Sequence, residues 1–342
     1  MKISKLTSLV FVLGAILYSS KVDAQNVPNI LESGRESRSL LVQVNPQDAE
    51  FYFKRSGVQF QSGDLKGAIE DLNQALRLNP NYVEAYNNRG IARARSRDLK
   101  GAIEDFNQAL RLNPNFAEAY NNRGRSQSLL GDLKGAIEDF NQALRLNPNY
   151  VIAYTSRSDT RRESGDLKGA IQDSNQALRL DPNFALAYIN RGIARYELGD
   201  VKGAITDFNQ ALVLDPNDAE AYNNRGFARY ESGDFTGAIE DYNQALRLNP
   251  NFALAYINRG AARRKLGDFT GAIEDFNQAL RLNPNDALIY YKRGLVHNKL
   301  GNMKRAITDL QKASELFQQQ GRIAEYQSTL DLIKIINIQI TK

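Results

Sequence analysis

Val83 to Phe116 reads VEAYNNRGIARARSRDLKGAIEDFNQALRLNPNF, and the same 34-residue pattern returns in register from Ala49 to near the C-terminus. Pro46, Pro80, Pro114, Pro148, Pro182, Pro216, Pro250 and Pro284 mark the period. A fixed period of this size belongs to stacked-repeat architectures, in which each unit buries its apolar face against its neighbours. With Ala49, Val83, Ala117, Val151, Ala185, Ala219, Ala253 and Ala287 as first positions, eight units fall at 49–82, 83–116, 117–150, 151–184, 185–218, 219–252, 253–286 and 287–318.

Local chemistry splits each unit into two helices, A and B. Proline is tolerated at a helix entrance, so helix A opens after the Asn-Pro or Asp-Pro pair, with Asn81 as its cap and Glu84 reaching back. Gly131, Gly165, Gly199, Gly233 and Gly267 stop helix A, because a left-handed closing residue carries no Cβ penalty in glycine. Asp132, Asp166 and Asp200 then cap helix B. In the second unit Leu99, Ala102, Ile103, Phe106, Ala109 and Leu110 form one apolar stripe of period 3.6 that must be buried. Gly90, Ala102 and Ala109 permit close helix approach, and Tyr86 and Phe106 fill the space between.

Tyr86, Gly90, Ala102, Phe106, Ala109 and Pro114 stand where the tetratricopeptide repeat has its signature residues, and the chain resembles that family over residues 49 to 318. The resemblance implies an all-α, right-handed superhelical solenoid whose concave groove, lined mainly by helix A, holds an extended peptide or a partner's helix. It implies protein binding rather than chemistry.

Composition is consistent with that. The 342 residues are 42% hydrophobic, with no cysteine and one histidine, so thiolate catalysis, disulfides and Cys/His zinc sites lack their residues. No metal or other cofactor is expected. Residues 1–24 place Lys2 and Lys5 before an apolar run from Leu6 to Tyr18 and end in Val22-Asp23-Ala24, the pattern of a cleaved secretory signal peptide. The run is short of the ~20 residues that span a bilayer. Its removal takes away three lysines and one aspartate, lowering the formal net charge from +5 to +3. Charges alternate in sign around each unit, so neither a nucleic-acid partner nor, after signal removal, a membrane is expected. The expected destination is extracytoplasmic: periplasm, lumen or medium. Residues 25–48 read as a polar leader, and 319–342 as a C-terminal capping helix that uses Ile323, Tyr326, Leu330, Ile333 and Ile340 on one face.

The fourth unit departs most: Ser158 replaces the close-packing glycine and Ser174 the aromatic ring. A smaller, wetter interface is expected there, at a cost of ~1–3 kcal/mol for the lost ring. Any internal bend or fraying belongs between Val151 and Phe184.

Arginine stands at position seven and aspartate at position twenty-three of every unit, for example Arg89 with Asp105, which reads as an internal ion pair between helices A and B. Position six carries Asn88, Asn122, Asn190, Asn224 and Asn258, interrupted by Ser156. A carboxamide both donates and accepts, so such a column can pair with an extended backbone. In the family resembled, asparagine here contacts bound peptide; solvated residues copied by duplication are the competing reading. Positions two, five, nine and twelve vary between copies. They offer Glu84, Asn87, Glu118, Asn121 and Arg125 in front and Leu186, Ile189, Ile193, Tyr196, Phe227, Tyr230, Leu254 and Ile257 behind. The apolar ones either line the groove or pack against neighbouring helices.

The functional expectation is a non-enzymatic scaffold binding a segment of another protein. The alternative is a carbohydrate-associated assembly factor that guides an exported polysaccharide, with Tyr196, Tyr230 and Arg264 as a stacking surface. His297 has no partner cluster in the sequence and reads as an exposed bystander.

Overall fold

A computed structural model describes residues 48–340, so the signal and leader segments lie outside the described residues. Among the described residues there are seventeen α-helices and no strands. The eight helix pairs are α1 (Ala49–Gln61) with α2 (Leu65–Leu78), α3 (Val83–Arg95) with α4 (Leu99–Leu112), α5 (Ala117–Leu129) with α6 (Leu133–Leu146), and α7 (Val151–Glu163) with α8 (Leu167–Leu180). They continue as α9 (Ala185–Glu197) with α10 (Val201–Leu214), α11 (Ala219–Glu231) with α12 (Phe235–Leu248), α13 (Ala253–Lys265) with α14 (Phe269–Leu282), and α15 (Ala287–Lys299) with α16 (Met303–Gln319). The last helix is α17 (Ile323–Ile340). The chain is an all-α solenoid of repeats. It divides into two compact units, Ala15–Ala194 and one containing Arg195–Lys342, with the division inside α9.

The turn chemistry follows the expected rules with one exception. Gly131, Gly165, Gly199, Gly233 and Gly267 all close helix A at φ of 84 to 93°, and in the second repeat Arg97 takes the same left-handed conformation at φ 67°. Asp132, Asp166 and Asp200 cap helix B by accepting from the backbone N–H three residues on. Helix A differs: Tyr82 occupies the N-cap of α3 without a side-chain bond, and Asn79 instead accepts from Asn81 N–H at 3.1 Å. The asparagine before the proline therefore shapes the turn. True side-chain caps on helix A appear where aspartate stands directly before it, at Asp218 and Asp286.

Each repeat closes on one contact. A Cβ added to Gly90 would lie 2.6 Å from the Phe106 ring, and the same conflict recurs at Gly124 with Phe140 and Gly260 with Phe276. Glycine at position eight is the partner of an aromatic ring at position twenty-four. The fourth repeat changes both at once. Ser158 and Ser174 are fully buried, their hydroxyls lie 2.8 Å apart, and the Ser158 hydroxyl also reaches the Ala170 carbonyl at 2.8 Å. The expected wet interface is thus a dry, hydrogen-bonded one, and α7 and α8 run unbroken.

The cap also departs from expectation. α17 buries Thr329 and Ile336, with Leu332 and Ile333 against Ala306 and Leu310 and Tyr326 against Phe317. Ile323, at 64% exposure, and Ile340 face away from the array. This helix carries isoleucines on more than one side, so hydrophobic spacing alone does not select the packed face.

Candidate functional site

The invariant charges hold the repeats together. Arg259 grips Asp275 through Nε at 3.0 Å and Nη2 at 2.5 Å, and its guanidinium lies 5.5 Å from the Tyr256 ring centroid. The equivalent arginine–aspartate pair forms within repeats one to four and six to eight, as Arg55, Arg89, Arg123, Arg157, Arg225, Arg259 and Arg293 show. The internal ion pair expected from sequence is therefore present.

The remaining guanidinium nitrogen does something the sequence did not announce. Nη1 of Arg89, Arg123, Arg157, Arg191, Arg225, Arg259 and Arg293 donates to an asparagine of the preceding repeat at 2.5 to 2.8 Å. Those asparagines, Asn73 to Asn277 at position twenty-five, sit inside the repeated NQAL string. A second arginine at position eleven then reaches the same aspartate, as Arg263 reaches Asp275 at 3.0 Å. Bidentate guanidinium geometry fixes spacing as well as charge, so this clamp sets the register of one repeat on the next.

His297 takes the position-eleven place in the eighth repeat. It is 6% exposed, with Nε2 4.0 Å from Asp309 and Nδ1 without a partner, so it is buried and not the exposed bystander expected. Burial holds its pKa below 6.5; Asp309 opposes this, and Arg293 and Arg305 reinforce it. A depressed histidine pKa means the unfolded chain binds the proton more readily. The stabilising contribution of the neutral ring is complete above the unfolded pKa of about 6.5 and is lost as pH falls through the folded value. NMR titration of the single imidazole is expected to give an inflection below 6.5, and the wild type to lose more stability on acidification than His297→Gln. An inflection at or above the free value would contradict this.

The position-six asparagines occupy an internal place. Asn122 Nδ2 donates to Asn87 Oδ1 at 3.1 Å, Asn258 to Asn223 at 3.0 Å, and Asn190 to the Thr155 carbonyl at 3.1 Å. Position six of one repeat thus bonds to position five of the repeat before it. Asn190, Asn224 and Asn258 are buried, and Asn88 and Asn122 half-buried. Where Ser156 interrupts the column, Asn121 is fully buried and its Oδ1 has no hydrogen-bond partner. Ser156→Asn is expected to supply the missing donor and raise stability by about 0.5–1.5 kcal/mol. Urea unfolding checks this, and an unchanged or lower midpoint would count against the bridge.

The variable positions divide by burial. In the N-terminal unit Ile189, at 2% exposure, and Ile193 are enclosed. In the C-terminal unit Phe227 is buried, with its ring 5.4 Å from that of Tyr196 in an edge contact. Tyr196, Tyr230, Leu254 and Ile257 keep part of their surface open to solvent. Burial pushes the Tyr196 hydroxyl up to about 12 and raises that of Tyr230, so both remain protonated donors at neutral pH. Arg264 hydrogen-bonds the Tyr230 hydroxyl. Among the described residues, no group of His, Asp and Glu is placed to hold a metal ion, and no helix is long and apolar enough to cross a membrane.

Comparison with known proteins agrees with this geometry. The family described as "TPR repeat" matches residues 58–96, 159–199, 194–233, 228–267 and 261–301. Families described as "Tetratricopeptide repeat" match 83–116, 117–150 and 287–320. No curated protein sequence matches. Among solved structures, the Cut9–Hcn1 hetero-tetramer of the APC/C is similar at TM-score 0.62 and 20% identity over 88% of this chain. The present chain spans only 58% of the length of that one. A tetratricopeptide repeat protein from Parabacteroides merdae is similar at TM-score 0.58 and 23% identity, covering 72% of this chain and 98% of its own. These two likenesses carry the fold alone.

Proposed function

Because the chain belongs to the tetratricopeptide repeat family, we propose that it is a non-enzymatic scaffold whose helix-A faces bind a segment of another protein. The supporting observation is a separation of roles along helix A. Position seven is arginine in every repeat and serves the inter-repeat clamp, while positions two, five, nine and twelve change from copy to copy. Side chains that vary on a backbone fixed elsewhere are how a repeat array gains selectivity without loss of fold. The partly open residues Tyr196, Tyr230, Leu254 and Ile257 give the C-terminal unit an aromatic and apolar character suited to a peptide anchor. Export from the cytoplasm belongs to the same reading and rests on the pattern of residues 1–24.

The test uses residues 25–342 with a photoreactive phenylalanine analogue in place of Tyr230, exposed to the extracytoplasmic fraction of the source cells. A crosslinked protein, identified by mass spectrometry and reduced by Leu254→Ala in a bait of equal helicity, is the expected result. A crosslink that resists proteases and is competed by glycan would favour the polysaccharide reading. Turnover of a substrate by the purified chain would overturn the non-enzymatic reading. N-terminal sequencing of the natural protein is expected to begin at Gln25.

A further inference from the structure

Position six of the eighth repeat is Lys292, where asparagine stands in repeats six and seven. Asn258 shows what this position does in the C-terminal unit: it donates to Asn223, the position-five residue of the repeat before. The position-five residue that precedes Lys292 is Ile257, which has no side-chain acceptor. Lys54, the lysine at position six in the first repeat, is neutralised by Glu50 at 2.8 Å. Position two of the eighth repeat, which would supply the same partner, is Leu288. The Lys292 ammonium therefore sits partly buried on an apolar wall with no hydrogen bond or ion pair from the described residues. A cation withdrawn from water without a counter-charge is costly.

A second cation worsens this. Arg264 is near enough to add to burial in lowering the Lys292 pKa, with Asp286 only partly opposing it. Arg264 itself makes no ion pair among the described residues, and its contact is the Tyr230 hydroxyl. A guanidinium can only donate, so the phenol oxygen accepts from it and keeps its own proton free for another acceptor. Three donors of two successive position-twelve residues and one position-six residue thus converge with no carboxylate among them.

Building on the groove-binding reading above, we propose that Arg264, Lys292 and the Tyr230 hydroxyl form a subsite for the side-chain carboxylate of an aspartate or glutamate in the bound segment. The partner is then an acidic segment with apolar residues on either side. The commitment to a side chain follows from the surroundings. Tyr196 and Tyr230 lie on the earlier repeats and Leu288 and Leu295 on the last, all partly open, so binding surface continues in both directions from the cations. A chain passing through places alternate side chains on the same face, with the acid flanked by apolar residues two positions away.

The experiment measures binding of three synthetic nonapeptides to residues 25–342 by NMR, following the labelled lysine Cε–Hε signals with Lys292 assigned through Lys292→Arg. The first peptide alternates leucine and glutamate and is capped at both ends. The second has glutamine for glutamate, and the third is the second with a free C-terminal carboxylate. The expected result is that the glutamate peptide binds at least about tenfold more tightly than the capped glutamine peptide. It should shift Lys292 saturably and raise its pKa, and Arg264→Gln with Lys292→Gln should abolish the preference while helicity is retained. Equal binding of the first two peptides, or a preference that survives the double substitution, overturns the subsite and leaves the groove reading standing. Tight binding of the free-ended peptide alone replaces the side chain with a chain terminus and overturns the proposal as stated. If no peptide perturbs any helix-A signal, both readings fall together.

Discussion

Asp275→Ala is expected to destabilise the C-terminal unit by about 3–5 kcal/mol, the cost of removing one partner from a buried ionic cluster. Asp275 is buried and bonds two arginines, Arg259 at 2.5 and 3.0 Å and Arg263 at 3.0 Å. Burial pushes its carboxyl above the ordinary aspartate value even though both arginines pull it down. Desolvation therefore consumes most of what the attraction supplies, and the cluster's net contribution to stability is small. Its removal is nevertheless expensive, because two guanidinium groups, each about one-quarter exposed or less, lose their counter-charge together. Asp309 tests the argument within the same unit. It bonds Arg293 and faces the neutral His297 at 4.0 Å, so Asp309→Ala strands one cation instead of two. Its cost is expected to be smaller by about 1–2 kcal/mol, the worth of one charged hydrogen bond. Urea unfolding followed by circular dichroism, with hydrogen exchange to locate the loss, measures both. Equal losses would mean that position eleven contributes nothing to the clamp.

The cluster also explains why some of the molecule was legible in its sequence and some was not. Helix boundaries, the closing glycines and the arginine–aspartate pair all lie within one period, where spacing and capping chemistry act locally. Contacts between periods were harder to read. The bond from Arg259 to Asn243 and that from Asn258 to Asn223 join residues in different repeats, and their asparagines sit among residues that recur for reasons of duplication. A column of identical residues gives no sign of whether each faces a ligand or its neighbour. The only internal clue was the interruption at Ser156, whose consequence, the unpartnered Asn121 Oδ1, becomes visible only once the register of adjacent helices is known. His297 was misread for the related reason that its burial comes from occupying an arginine's place beside Asp309. In α17, isoleucines around the helix hid which face packs on α16.

The coupling of positions eight and twenty-four leads to the second large effect. Gly260→Ser is expected to cost about 1–3 kcal/mol or more, because a Cβ there would lie 2.9 Å from the Phe276 ring, closer than packed atoms tolerate. Phe276 is fully buried, so the ring has no open space to move into. Phe276→Ser alone is expected to cost about 3–5 kcal/mol by analogy with ring truncation in cores, since it leaves a cavity and an unpaired hydroxyl. The double variant should cost less than the sum of the two. Ser158 and Ser174 already show the outcome in the fourth repeat: the two hydroxyls meet at 2.8 Å, the Ala170 carbonyl accepts from Ser158, and both side chains are dry. In the seventh repeat the corresponding acceptor is the carbonyl of Ala272, the residue equivalent to Ala170. The coupling energy in the double-mutant cycle is expected to be about 1–3 kcal/mol and favourable. The reverse change, Ser174→Phe, should be tolerated only with Ser158→Gly. If the two substitutions prove additive, the serine pair in the fourth repeat is an accident of drift and not an alternative way of closing the same helix contact.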